Sequence, residues 1–181
     1  MKGIIFNVFE DFLDEKYGEN TFDNIIEAMV PDVKEPFIAP GTYPDELLFS
    51  IIHKTMEEKN LELNPTLLEF GEFLFLQLAK KYPVFVKSHN NAKDFIKTIH
   101  DIIHVEVRKL FPEAVTPDFS YSNEKENEIT ITYTSKRSLF ILAEGLINGC
   151  AKYYKEEIKL TILNQNMKDN SCIFHLKFVR N

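Results

Sequence analysis

The chain has 181 residues, of which 44% are hydrophobic, and a formal net charge of -7. These values indicate one globular domain over residues 1–181, and the acidic balance disfavours nucleic acid as a partner. No apolar run approaches the ~20 residues of a membrane span, so we expect no membrane association. The two cysteines have no CxxC spacing, which argues against a zinc site and fits a reducing cytoplasm.

The first half of the chain has the apolar periodicity of helices. Helices are predicted over residues 3–17, near residues 22–29, from about Pro44 onwards, and from Pro65 to about Lys81. Several prolines between residues 31 and 44 predict a loop there.

Residues 91–112, with the sequence NAKDFIKTIHDIIHVEVRKLFP, are predicted to form one amphipathic helix. The helix carries two histidines, His100 and His104, near the edge of its apolar arc. Periodicity does not choose between them, and histidines beside an apolar stripe are more often surface residues than metal ligands. The arc itself comprises Phe95, Ile99, Ile102, Ile103, Val107 and Leu110.

After Pro112 the apolar period changes from that of a helix to that of strands. Residues 119–122 and 128–133 predict a β-hairpin, residues 138–154 a helix, and residues 158–163 and 172–179 two more strands. Helices followed by a ββαββ part define an α+β fold with an antiparallel sheet of about four strands.

The second predicted strand ends in Tyr133, Ser135 and Arg137, which strand alternation would place on one face. Two hydroxyl groups and a planar guanidinium form a receptor for carboxylates. An isolated YxSxR pattern is more often an ordinary strand end that leads into a solvated turn.

Here the pattern is accompanied by the opening MKGIIFNVFEDF, the segment DIIHVEVRKLFPEA with the following Thr116-Pro117, and AEGLINGCAKYY with the two closing strands. Together these segments resemble the haem nitric oxide/oxygen binding (H-NOX) family, the bacterial relatives of the haem domain of soluble guanylate cyclase. The resemblance spans essentially the whole chain. It implies a haem b buried between the N-terminal helices and the ββαββ part, in a sensor rather than an enzyme.

The resemblance assigns His104 as the proximal iron ligand, because Phe111-Pro112 follows it at the distance seen in the family. His100 then takes a structural role. The haem propionates would be held by Tyr133, Ser135 and Arg137.

The resemblance also implies that Pro117 and Ile5 press on the porphyrin and distort it. The distal pocket would be lined by Ile5, Phe9, Leu74, Leu78, Leu142 and Leu146.

Family members that hold oxygen carry a tyrosine at the position of Leu142, with polar partners where Phe9 and Leu74 stand here. Bound oxygen needs a buried hydrogen-bond donor, and these three side chains have none. We therefore expect binding of NO and CO without useful oxygen binding. NO would break the His104–iron bond, and the N-terminal helices would shift in response.

The resemblance further implies a separately encoded partner, either a histidine kinase or a cyclic-di-GMP enzyme, and we expect a monomer. Two other functions remain open from the residues alone. One is a module that binds a non-haem ligand in the same cavity. The other is a metal-dependent hydrolase with His100 and His104 as ligands, although the chain lacks the glutamate of an HExxH motif.

Overall fold

The computed structural model describes residues 1–29 and 36–179 and divides into two compact units, Met1–Phe70 and Gly71–Asn181. The single domain predicted over residues 1–181 stays a prediction. No helix of the described residues is long and apolar enough to cross a membrane.

The first unit is helical, as its apolar periodicity predicts. It contains α1 (Gly3–Tyr17), α2 (Thr21–Met29), α3 (Asp45–Lys59) and the first part of α4 (Leu63–Lys81). Helix α1 ends at Gly18, whose φ of 104° is a conformation that favours glycine. Of the loop predicted over residues 31–44, residues 31–35 lie outside the described part of the chain.

Phenylalanine side chains form the core of the first unit. The ring of Phe9 is fully buried and meets the ring of Phe70 edge-on at a centroid distance of 4.9 Å. Phe6 stacks on Phe37 at 4.2 Å, and Phe22 contacts Phe9 at 6.4 Å. Edge-on and stacked aromatic contacts of this kind let the unit fill its core with few residues.

The second unit joins the remainder of α4 to an antiparallel sheet of strand order β1-β2-β4-β3. The predicted hairpin, helix and two closing strands are all present, so the predicted α+β fold is confirmed. Helix α5 was not expected from the sequence, because five residues are too few to show helical periodicity. The elements are α5 (Pro83–Lys87), α6 (Ala92–Thr98), α7 (His104–Leu110), β1 (Asp118–Lys125), β2 (Glu128–Thr134), α8 (Phe140–Tyr154), β3 (Glu157–Asn166) and β4 (Ser171–Val179).

One face of the sheet carries the core of the second unit. Ile129 and Ile131 of β2 lie beside Phe174 and Leu176 of β4, and all four side chains are fully buried. Helices α6 and α8 contribute further buried apolar side chains to this cluster. Buried and less buried residues alternate along β4, and apolar and polar side chains alternate along β2, which explains why the strand pattern was visible in the sequence.

Helices α4 and α8 approach each other at glycines. A Cβ atom on Gly71 would lie 2.5 Å from the main-chain oxygen of Leu142, and one on Gly149 would lie 2.6 Å from that of Glu72. Neither position leaves room for a side chain, so the two helices touch through their backbones. An ion pair between Lys152 and Glu72 closes the same contact.

The single helix predicted over residues 91–112 is wrong in its central part. Between α6 and α7 the chain forms a π-helical turn, Ile99–Ile103, in which the N–H of His104 donates to the carbonyl of Ile99. This i to i−5 bond adds one residue to the turn and rotates the following residues by roughly 100° relative to an α-helix. The predicted apolar arc is therefore broken, and Ile102 and Leu110 are 52% and 65% exposed.

Candidate functional site

His104 is the first residue of α7 and is half-buried. Its Nδ1 lies 3.1 Å from the main-chain oxygen of Pro117. A carbonyl only accepts hydrogen bonds, so Nδ1 must carry the ring proton, which leaves the lone pair on Nε2. Burial and, to a smaller extent, the positive charge of Arg108 lower the pKa of His104 to about 4, against the effect of the Pro117 hydrogen bond. The side chain is thus a neutral imidazole with a lone pair at Nε2, the form that binds metals.

The ring nitrogens of His100 have the opposite hydrogen-bonding roles from those of His104. Its Nδ1 accepts a hydrogen bond from the N–H of Phe119, at 3.3 Å, at the start of β1. The lone pair at Nδ1 is therefore occupied, and the proton of the neutral ring belongs on Nε2, which lies 4.0 Å from a carboxylate oxygen of Asp101. This geometry favours His104 over His100 as a metal ligand and gives His100 a structural contact.

Aromatic rings connect His104 to the end of β2. The ring of Phe119 lies 5.5 Å from that of His104 and 5.4 Å from that of Tyr133, measured between centroids. Tyr133 in turn meets Phe140 edge-on at 5.7 Å. The histidine and the tyrosine of the YxSxR pattern therefore belong to one continuous set of contacts within the second unit.

Ser135 and Arg137 both act on the pKa of Tyr133, so the three residues of the YxSxR pattern lie near one another, but for a different reason from the one predicted. Strand β2 ends at Thr134, so Ser135 and Arg137 lie in the turn that follows, and the argument from strand alternation is wrong. The turn is closed by a hydrogen bond from the N–H of Ser138 to the carbonyl of Ser135. It folds the chain back so that the N–H of Arg137 donates to the hydroxyl of Ser135, at 3.3 Å.

Tyr133 and Ser135 are both buried, and their hydroxyl groups lie near each other. Burial raises the pKa of Tyr133, while the Ser135 hydroxyl and the charge of Arg137 oppose the shift. The guanidinium of Arg137 also donates to the carbonyl of Val115, at 2.7 Å. Two hydroxyl groups and a guanidinium thus lie together, in neutral and cationic forms suited to an anionic ligand.

The predicted distal residues fall in both units. Leu74, which is buried, and the half-buried Leu78 belong to α4, and the half-buried Leu142 and Leu146 belong to α8. These leucines lie on the two helices that touch at Gly71 and Gly149. Ile5 and Phe9 belong to α1 of the first unit, where Ile5 is half-buried and Phe9 is part of the aromatic core. Their predicted role in the distal pocket stays a prediction.

Two residues beside the histidine were missed by the sequence analysis. Arg108 lies one helical turn after His104, and its guanidinium donates a 2.6 Å hydrogen bond to the hydroxyl of Thr116. The spacing of four residues on one helix was the only available signal for Arg108. The contact with Thr116 depends on how the chain returns after α7, which no local pattern reveals.

The residues of the second unit fit a haem group. A neutral imidazole suits the iron, the hydroxyl groups and guanidinium near Tyr133 suit the propionates, and aromatic rings lie between them. This fit follows from the chemical character of the imidazole, the hydroxyl groups and the guanidinium.

The model of the family described as "Haem-NO-binding" matches residues 2–162. The chain therefore belongs to the haem-NO-binding family. The predicted resemblance to H-NOX proteins is confirmed. A search of the curated proteins found no match.

Solved structures of H-NOX proteins have the same fold. The H-NOX protein from S. oneidensis in the Fe(II)NO state is 29% identical, with a TM-score of 0.91 over 99% of this chain and 100% of that chain. The H-NOX domain from Shewanella oneidensis in the Fe(II)CO state is 28% identical, with a TM-score of 0.89 over 100% of both chains. A mutant of the Fe(II) unliganded H-NOX protein from K. algicida is 25% identical, with a TM-score of 0.88 over 100% of this chain and 98% of that chain.

Proposed function

We propose that this protein is a sensor, not an enzyme, which binds NO and CO at a haem held by His104 and signals to a separate partner protein. One observation carries the proposal. The hydrogen bond from Nδ1 of His104 to Pro117 leaves a neutral imidazole with its lone pair at Nε2. Membership of the haem-NO-binding family supports haem as the group that this lone pair binds.

The cofactor is proposed to be haem b. Covalent attachment of a c-type haem uses a C-x-x-C-H motif, and Cys150 and Cys172 are far apart in the sequence. Both thiols are buried and unpaired, which also supports a haem held by coordination and packing alone.

Tyr133, Ser135 and Arg137 would receive the haem propionates. Their mutual contacts support this role, because a carboxylate that approaches the turn could accept from two hydroxyl groups and a guanidinium. Pro117 would have two roles, since its carbonyl orients His104 and its ring is the predicted contact with the porphyrin.

The preference for NO and CO over oxygen is supported by the side chains of α4 and α8. A ferrous haem held by His104 would supply the binding site for NO and CO. Leu74 and Leu142 carry no hydrogen-bond donor that could stabilise the negative character of bound oxygen. His104 is the group whose release would form the signal, and after release its ring would keep its hydrogen bond to Pro117.

The output partner is proposed to be a separately encoded histidine kinase or cyclic-di-GMP enzyme in the cytoplasm. Support comes from the family resemblance alone. Solved H-NOX structures with NO and CO support gas binding but carry no information about the partner.

The test is an absorption spectrum of the purified protein, reduced without oxygen and then exposed to NO. We expect a Soret band that shifts on reduction and moves to shorter wavelength with NO. His104→Gly should abolish haem binding, and added imidazole should restore it. His100→Gly is the matched control and should keep its haem. A colourless protein that also fails to take up added haem would overturn the proposal.

A second measurement tests the gas preference. The ferrous wild-type protein should show no stable oxygen binding in air. Leu142→Tyr should introduce it, because the new hydroxyl can donate to bound oxygen, whereas Leu142→Phe should not. Stable oxygen binding by the wild-type protein would contradict the preference and leave the haem assignment intact.

A further inference from the structure

Three side-chain hydrogen bonds converge on three consecutive residues that link α7 to β1. Arg137 donates to the carbonyl of Val115 at 2.7 Å, and Arg108 donates to the hydroxyl of Thr116 at 2.6 Å. His104 donates from Nδ1 to the carbonyl of Pro117 at 3.1 Å. We call residues 115–117 the linker segment.

None of the three residues of the linker segment is fully buried. It belongs to no helix or strand, and the side chain of Val115 is 62% exposed. A segment without ladder hydrogen bonds and with few buried side chains takes its position from its remaining contacts. The position of the Pro117 carbonyl therefore depends on the groups that hold Val115 and Thr116.

Arg108 and His104 act on this segment from the same side. They are four residues apart in α7, so their side chains lie on one face of the helix. Their targets, the Thr116 hydroxyl and the Pro117 carbonyl, are on adjacent residues. The contact between Arg108 and Thr116 thus holds the linker segment against α7 next to the point where the imidazole is bound.

We propose that Thr116 and Arg108 are positioning residues for His104, which fix the Pro117 carbonyl and so hold the imidazole in one tautomer and one orientation. Arg137 connects the same segment to the turn that carries Tyr133 and Ser135. This inference rests on the proposed function, because it concerns the histidine assigned there to the iron. It adds a specific link between the carboxylate-binding turn and the iron ligand, carried by the linker segment.

The physical consequence follows from the chemistry of imidazole. A hydrogen bond donated from Nδ1 to a fixed acceptor makes Nε2 a stronger ligand and sets the ring orientation. If the acceptor becomes mobile, the ring can rotate, the other tautomer becomes populated and the bond to a metal weakens.

The test compares Thr116→Val, which removes only the hydroxyl group, with Thr116→Ser, which retains it. In the haem-free protein, nitrogen-15 NMR of the imidazole should show the Nδ1–H tautomer in the wild type and in Thr116→Ser, and a tautomer mixture in Thr116→Val. In the ferrous haem protein, the iron–histidine stretching band should move to lower frequency in Thr116→Val alone. Haem affinity should fall roughly tenfold, at the lower end of the effect of removing a group that orients a metal ligand.

Arg108→Met completes a double-mutant cycle, because it removes the guanidinium and keeps an unbranched side chain. It should reproduce the effect of Thr116→Val, and the double variant should show no further change, since both substitutions break one contact. Additive effects, or a Thr116→Val protein with the tautomer and stretching frequency of the wild type, would overturn the inference. A wild-type protein that binds no haem would instead overturn the proposed function, so the two failures are distinguishable.

Discussion

The hydroxyl group of Tyr121 donates a 2.7 Å hydrogen bond to the main-chain carbonyl of Ile96. The main-chain N–H of His100 lies near the same hydroxyl, where it opposes the rise in the pKa of Tyr121. In an unbroken α-helix, the carbonyl of residue 96 and the N–H of residue 100 would bond to each other. Tyr121 is therefore inserted into the helix ladder, and this insertion accounts for the π-helical turn before His104.

Removal of this hydroxyl should weaken the fold. Tyr121→Phe deletes the hydrogen bond to Ile96, and we expect the free energy of unfolding to fall by about 1 kcal/mol, the usual contribution of a hydrogen bond in a half-buried position. Urea denaturation followed by circular dichroism measures the change. Tyr153→Phe, which removes a tyrosine hydroxyl from α8, is the matched control and should have a smaller effect. Equal effects of the two substitutions would show that the inserted hydroxyl has no special role.

The stability of the protein should also depend on Tyr121 at alkaline pH. Burial raises the pKa of Tyr121 to about 12, against the effect of the nearby main-chain N–H of His100, whereas the unfolded chain ionises near 10. A raised pKa in the folded state stabilises the fold below pH 10, and this contribution is lost as the pH rises from 10 through 12. Because solvent screens part of this interaction, we expect the free energy of unfolding to fall by only about 1 kcal/mol between pH 10 and pH 12. Tyr121→Phe should lack this part of the pH dependence, and an identical pH profile for both proteins would contradict the prediction.

The glycine contact between α4 and α8 predicts a strong effect of a single methyl group. Gly149→Ala would place a Cβ 2.6 Å from the Glu72 carbonyl and from the Cβ of Phe75, so the helices must move apart. We expect the free energy of unfolding to fall by about 1–3 kcal/mol, the usual cost of overpacking. Thermal or urea denaturation measures it, with Gln77→Ala on α4 as the control. A variant as stable as the wild type would show that the helices can separate at no cost.

Removal of a hydroxyl group from the turn after β2 should lower the affinity for haem. Ser135→Ala should reduce haem affinity by roughly tenfold, because a hydrogen bond to a charged group contributes about 1.5 kcal/mol. The rate of haem transfer to an excess of a haem scavenger measures the loss. Thr134→Val removes an exposed hydroxyl from the neighbouring position and should leave the rate unchanged. Equal rates for the two variants would remove Ser135 from the proposed propionate site.

The order of helices and strands was determined by the sequence itself. Apolar residues repeat with the period of a helix through the first half of the chain, and with the period of a strand after Pro112. These patterns are local, because each follows from which face of one element is buried. The bounds of α1, the hairpin and α8 were accordingly predicted to within a few residues.

The geometry around the histidines was decided only by the tertiary structure. The π turn depends on Tyr121, which comes from a strand beyond the helix, and the tautomer of His104 depends on Pro117. The sequence placed Tyr133, Ser135 and Arg137 together by strand alternation, whereas a turn brings them together. A hydrogen bond between residues distant in the chain leaves no periodic signal, so the tautomer of His104 could not be predicted from the pattern that predicted its helix.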